Sequence, residues 1–278
     1  MTHSRPTIRE LLESNHLAPR RDLGQNFVAD PNTVRRIADL ARVGPTDHVV
    51  EIGAGLGSLT LALADTGAAI TAIEVDRGIV PLLREVMADS PNVAVVEADA
   101  MQIDWNATLD PAVTDGWVLV ANLPYNVATP LICDILDTVP QVRRMIVMVQ
   151  REAAERFAAQ PRTSAYGAVS VKVAYWGTAR IVGHVPASVF VPRPNVESSL
   201  VEITRHAESP RETRATDPDL LFALVKGGFG QRRKMLRKSL GDRVTSEQFE
   251  AAGVAPTARA EELDVAAWCR LADAVNRA

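Results

Sequence analysis

At 278 residues the chain is long enough for one large domain, or for a domain of ordinary size joined to a small one. Its 47% hydrophobic and 23% charged residues describe an ordinary globular protein, and a net charge of −4 excludes wholesale coating of nucleic acid while leaving room for a local basic surface. Two distant cysteines, Cys133 and Cys269, fit no metal or redox spacing; they read as reduced thiols, and no metal site is expected.

The first 21 residues are polar, lack an apolar run and carry Glu10 and Glu13, so neither a signal peptide nor an acid-poor transit peptide fits. No stretch reaches the ~18 apolar residues of a membrane span. A helix opens at Pro31-Asn32-Thr33-Val34, with Asp30 as N-cap, Pro31 as its first residue and apolar positions at Val34, Ile37, Ala38 and Ala41. Gly44-Pro45 closes it. Strand-like and helical stretches then alternate: strands over 48–52, 69–74, 93–97, 117–121 and 144–149, with helices over 59–64, 80–87 and 130–136 between them. This rhythm predicts an α/β fold with a doubly wound, mostly parallel sheet. Residues 170–176 and 199–203 read as further strands, antiparallel at one sheet edge. The polar, two-proline segment 206–218 reads as a boundary. Beyond it the pattern is helical over 219–225, 231–240, 248–252 and 261–275, with Thr245 and Gln248 spaced as a capping box. The expected domains are therefore 1–208, including a leader and entry segment over 1–30, and a small helical domain over 209–278.

The strand ending Val49-Val50-Glu51-Ile52 runs into Gly53-Ala54-Gly55-Leu56-Gly57. Glycines there let the backbone turn tightly and come close to a ligand. A dinucleotide fingerprint needs glycine where Ser58 stands, so that reading fits poorly. The E-x-G-x-G-x-G pattern resembles the nucleoside-binding loop of S-adenosylmethionine-dependent methyltransferases. Glu74, ending the second strand, stands where an acid accepts from both ribose hydroxyls, and Asp99, after the third, where one binds the adenine amine.

Asn122-Leu123-Pro124-Tyr125 follows the apolar strand 117–121, at the carboxyl edge where open α/β sheets place ligands. These residue types suit alkylation of an exocyclic amine on a planar base. The adenine amine is a poor nucleophile because its lone pair is delocalised into the ring. Acceptors aimed at its two N–H groups localise that pair and stabilise the developing charge. The Asn122 side-chain oxygen and the Leu123 carbonyl are the natural candidates for those acceptors; Pro124 would fix the backbone, and Tyr125 would offer a stacking face. The target base must leave its stack to reach them.

Together with flanking motifs, these residues resemble the ribosomal RNA adenine dimethyltransferases, most closely the bacterial enzymes that act on the small subunit. Leu23-Gly24-Gln25-Asn26-Phe27-Val28 is similar to the family's entry motif, with Val28 in place of a leucine. Gln150-Arg151-Glu152, Tyr166-Gly167 and Phe190-Val191-Pro192-Arg193-Pro194-Asn195-Val196-Glu197-Ser198 continue the likeness, which runs from about Leu23 to Leu240. Pro186-Ala187 departs from the two prolines common there. The resemblance implies a Rossmann-like class I methyltransferase domain with S-adenosylmethionine as cofactor. It also implies cofactor contacts at Asn26, Val28, Gly53, Gly55, Glu74, Asp99 and Asn122, and a Phe190 ring stacked on the target adenine opposite Tyr125. Taken alone, Phe190 between apolar neighbours reads as core.

Between Lys226 and Arg243 lie seven basic residues and one acid, Asp242. On a helix, Leu236 and Leu240 would share one face and leave Arg233, Lys234, Arg237 and Lys238 exposed, with Arg232 beside them. This segment also resembles the family's, and it is expected to contact RNA phosphates. The substrate implied is two adjacent adenosines near the 3′ end of 16S rRNA in a pre-assembled small subunit, acted on by a monomeric cytoplasmic enzyme. Two alternatives stand beside it: a large-subunit methyltransferase of the macrolide-resistance type, and a non-catalytic RNA-binding assembly factor on the same scaffold.

Overall fold

The computed structural model describes residues 2–208 and 216–277. In chain order the elements are α1 (Arg5–Ser14), β1 (Phe27–Val28), α2 (Pro31–Ala41), β2 (His48–Ile52), α3 (Ser58–Ala64), β3 (Ala69–Glu74), α4 (Val80–Val86), β4 (Val93–Glu97), α5 (Trp105–Thr108), β5 (Trp117–Asn122), α6 (Ala128–Thr138), β6 (Val142–Gln150), α7 (Arg151–Phe157), α8 (Ala168–Trp176), β7 (Gly177–Val185), β8 (Phe190–Val191) and β9 (Ser198–Arg205). Helices Pro218–Gly230, Leu236–Ser239, Ser246–Ala251 and Val265–Asn276 follow.

Seven strands form one sheet in the order β4-β3-β2-β5-β6-β9-β7. The β4-β3-β2-β5-β6 part is parallel and β9 joins antiparallel to β6, so the doubly wound, mostly parallel sheet is as the sequence pattern implies. Central strands covered on both faces need unbroken apolar runs, and Val49, Val50, Leu119, Val120, Ile146 and Val147 are fully buried. The chain runs outward from β2 through β3 to β4, then returns to place β5 on the other side of β2. The crevice for a ligand therefore opens beyond the carboxyl ends of β2 and β5. A separate two-stranded sheet pairs β1 with β8, setting Phe27 against Val191 and Val28 against Phe190.

Helix α2 starts as expected: the Asp30 carboxylate accepts from Thr33 N at 2.9 Å. The leader contains a helix that its polarity conceals, α1, capped by Ser4 and anchored by buried Ile8 and Leu12.

Contacts divide the chain into two compact units, Met1–Ala154 with Arg180–Thr204, and Glu155–Ala179 with Arg205–Ala278. The expected boundary at 208/209 falls at the edge of residues 209–215, which lie outside those described, and residues 155–179 belong with the second unit instead of the first. The reason is a misread element. Residues 170–176 form the end of helix α8, not a strand. Ser170, Val171, Val173, Tyr175 and Trp176 are all buried, so apolar residues lie around the whole helix and imitate alternation. Gly167 N donates to Ser170 Oγ at 3.1 Å to start it. Within this unit Tyr175 meets Phe222 edge-on, with centroids 5.5 Å apart.

The single helix expected over 231–240 is also corrected. Residues 231–233 are a turn, Met235 is extended, and only Leu236–Ser239 is helical. Leu236 N and Arg237 N donate to the carbonyls of Ala258 and Pro256, at 2.8 and 2.9 Å, so tertiary backbone bonds replace the helical ladder. The capping box of Thr245 and Gln248 forms as expected.

Candidate active site

The loop after β2 is built on conformations that side chains resist. Gly53, Gly55 and Gly57 have φ of +73°, +56° and +84°. Gly53 N and Ala54 N both donate to Ile73 O, at 2.9 and 3.2 Å, which folds the loop against the end of β3. A Cβ on Gly55 would stand 3.1 Å from the Phe27 ring, so glycine there allows the entry segment to close down on the loop.

Glu74, buried at the end of β3, organises the same corner. Its Oε2 accepts from Gly55 N at 2.8 Å, and its Oε1 accepts from Val75 N and Asp76 N at 3.0 and 2.9 Å. Burial raises its pKa, and these backbone bonds oppose the rise. The Gln25 amide donates to Asp76 Oδ2 at 2.7 Å, tying the entry segment to the loop after β3.

The tetrapeptide Asn122-Leu123-Pro124-Tyr125 faces this corner. Asn122 Nδ2 donates to the Asn26 carbonyl at 3.0 Å, which fixes the amide and turns Oδ1 away from that partner as an acceptor. Leu123 N continues the sheet by donating to Met148 O at 3.1 Å. Val127 N and Ala128 N donate to the Pro124 carbonyl, so the turn into α6 does not draw on the Leu123 carbonyl. The Tyr125 hydroxyl lies 2.7 Å from Ser198 Oγ.

These pieces line one partly open pocket at the carboxyl ends of the strands. Its lining includes Asn26, Val28, Gly53, Gly55, Glu74, Asn122, Leu123, Pro124 and Tyr125, which the structure thus brings together. Two expected residues lie elsewhere. The Asp99 carboxylate is occupied by Met101 N at 2.9 Å and Gln102 Nε2 at 3.2 Å and is not among the lining groups. Phe190 is fully buried in an apolar cluster with Val28, Val34, Ile37 and Leu200, so its ring is packed in the core, and it meets the site only through its strand partner Val28, which lines it.

Two buried polar lining residues escape sequence reasoning. Glu51 and Ser58 are buried at the cavity, and Glu51 Oε2 and Ser58 Oγ have no hydrogen-bond partner among the described residues. The signal for Glu51 was a carboxylate inside an otherwise apolar central strand, which is costly without a purpose. Burial pushes the Glu51 carboxyl up to about 8, opposed by the Thr60 hydroxyl and reinforced by Glu74. The folded chain therefore keeps a proton that the unfolded chain loses near its ordinary value of 4.5. Stability is expected to fall as pH rises across that window, by up to about 1.4 kcal/mol per pH unit, and to level off above it. Denaturant titrations of the wild type and Glu51→Gln through the window measure this; parallel stability curves for the two proteins would exclude it.

In the second unit Arg232, Arg233, Lys234, Arg237 and Lys238 are all exposed. Arg232 is engaged, with its Nε 2.6 Å from Glu261 Oε2 and its terminal nitrogen donating to Ser164 O at 3.0 Å. Arg233 and Lys234 line an open groove with Phe229 and Gln231.

The sequence profile of the family described as ribosomal RNA adenine dimethylase matches residues 17–277. A protein of Bifidobacterium longum subsp. infantis named ribosomal RNA small subunit methyltransferase A is 42% identical over 282 residues, covering 97% of this chain and 92% of its own. One of the same name from Nocardia farcinica is 44% identical over 275 residues, covering 95% and 92%. Among solved structures, the 23S rRNA methyltransferase ErmE superposes with a TM-score of 0.67 at 26% identity, covering 90% of this chain and 99% of that one.

Proposed function

This chain belongs to the ribosomal RNA adenine dimethylase family, and from that premise we propose that it transfers methyl groups from S-adenosylmethionine to adenosine N6 in small-subunit ribosomal RNA. The observation that carries the chemistry is the Asn122 amide, whose N–H is given to the Asn26 carbonyl and whose oxygen is thereby free to accept. The orphaned Glu51 Oε2 and Ser58 Oγ fit a cofactor carrying a cationic amino group, whose charge would favour loss of the proton that burial otherwise keeps on Glu51, and Glu74, Asn26, Val28 and the backbone of Gly53 and Gly55 complete its cradle. Asp99 joins them if its loop contributes to the adenine end.

S-adenosylmethionine supplies an electrophilic methyl group on a sulfonium. The protein's own part is positioning and electrostatics. Asn122 Oδ1 and the Leu123 carbonyl accept from the adenine amine and draw its lone pair out of conjugation. Pro124 holds that carbonyl in place, and Tyr125 presents a face to the base. Burial raises the Tyr125 pKa, opposed by its bond to Ser198, so the ring works as a neutral surface, and no general base is required if the proton leaves after methyl transfer.

We place the targets at two adjacent adenosines near the 3′ end of 16S rRNA in a pre-assembled subunit, with a monomeric enzyme acting in the cytoplasm. The family's named small-subunit relatives at 42–44% identity, against 26% for the large-subunit enzyme, support the small subunit. Incubation with unmodified small or large subunits, followed by mass spectrometry of the rRNA, tests this. N6,N6-dimethyladenosine in the small subunit is the expected result, and methylation confined to the large subunit would overturn it. A non-catalytic assembly factor would instead bind subunits and leave both unmodified.

The exposed Arg233 and Lys234 are proposed to hold RNA phosphates. Replacing both with alanine is expected to weaken subunit binding and to flatten the slope of log affinity against log salt by about 2. Unchanged affinity at low salt would return this segment to a solvated surface.

A further inference from the structure

We infer that Ser198 is a positioning residue for methyl transfer, its hydroxyl holding the Tyr125 ring as a fixed face for the acceptor base. The inference rests on the adenine-methylation reading above and deepens it. Tyr125 stands on the loop after β5 and lines the cavity, while Ser198 opens β9, 73 residues further along the chain. The two hydroxyls meet at 2.7 Å, and the serine is fully buried. Such a bond costs nothing only if it is made, since a buried hydroxyl without a partner is penalised.

The serine itself is anchored. It faces Gln150 in the antiparallel β6–β9 ladder. The residue before it is fixed twice by Arg151, whose N donates to Glu197 O at 3.0 Å and whose guanidinium lies 3.1 Å from the Glu197 carboxylate. Pro124 restrains the tyrosine at its backbone and Ser198 at its far end, so the axis of the ring has little freedom to tilt. The same bond turns the Tyr125 hydroxyl toward Ser198 and leaves the aromatic face as its contribution.

A dimethylation uses this face twice. After the first transfer the amine carries a methyl group and one remaining N–H, which must be presented again to the same acceptors without displacing the base. A ring free to tilt would penalise the second pose more than the first, because the added methyl group narrows the set of productive geometries. Loosening the lock should therefore slow turnover and let monomethylated adenosine accumulate.

The experiment compares wild type, Ser198→Ala, Ser198→Thr, Tyr125→Phe and the Ser198→Ala/Tyr125→Phe double variant on unmodified small subunits. It reads kcat, KM, cofactor affinity and the ratio of mono- to dimethylated adenosine. Each single variant that breaks the bond is expected to lower kcat on the order of tenfold with KM and cofactor affinity little changed, and to raise the monomethyl fraction. The double variant should be no worse than the weaker single one, and Ser198→Thr, which keeps a hydroxyl, should recover most of the activity. Losses that multiply in the double variant would overturn the inference. So would wild-type kcat and product ratio in Tyr125→Phe, which keeps the ring and decides the matter even if Ser198→Ala fails to fold. Absence of methylation by the wild type would instead remove the reading beneath it.

Discussion

Asn122→Ala is expected to lower kcat by roughly 10²–10³-fold while leaving folding and RNA association near wild type. The alanine removes the proposed side-chain acceptor for the amine and also releases the Asn26 carbonyl, which loses its 3.0 Å donor. That carbonyl sits in a partly open cavity where water can replace the lost partner, so the stability cost should be small compared with the catalytic one. Single-turnover kinetics on unmodified small subunits, with a thermal melt of the same preparation, separates the two effects. Near-normal dimethylation by the variant would refute the acceptor role of Asn122.

Phe190→Ala is expected to cost about 3–5 kcal/mol of stability, the usual penalty for emptying an aromatic site in a packed core. The ring is fully buried among Val28, Val34, Ile37 and Leu200. Its family-implied duty as a base platform would require it to leave that cluster. Chemical denaturation of the variant distinguishes the two roles. A core residue gives a large drop in the unfolding midpoint, whereas a platform gives near-native stability with a reduced rate on RNA. A drop below about 1 kcal/mol would contradict the burial argument.

The sheet was legible because a parallel strand covered on both faces must be apolar throughout, and 48–52, 69–74 and 117–121 announce themselves that way. The glycine loop and the tetrapeptide were legible because few residue types tolerate their geometry or chemistry. Residues 170–176 were not, since a helix buried all round has no polar face to set its period. Nor was the break at Met235, which depends on the carbonyls of Pro256 and Ala258 arriving from about twenty residues away. Phe190 shows a different limit. Its motif marks the position, but only packing reveals that the side chain points into the core, while its strand partner Val28 lines the site. Glu51 was printed in the motif all along, and its meaning emerged from the missing partner of one oxygen.

The bond from Asn122 Nδ2 to the Asn26 carbonyl also bears on which residue the chain can tolerate at that position. Aspartate has almost the same shape as asparagine, but it has no N–H to give, and its second oxygen would face a carbonyl oxygen. The main chain of the entry segment thus inspects the side chain at 122 and rejects its nearest isostere by electrostatic repulsion. Amide identity there is enforced by the main chain of a neighbour 96 residues away in sequence.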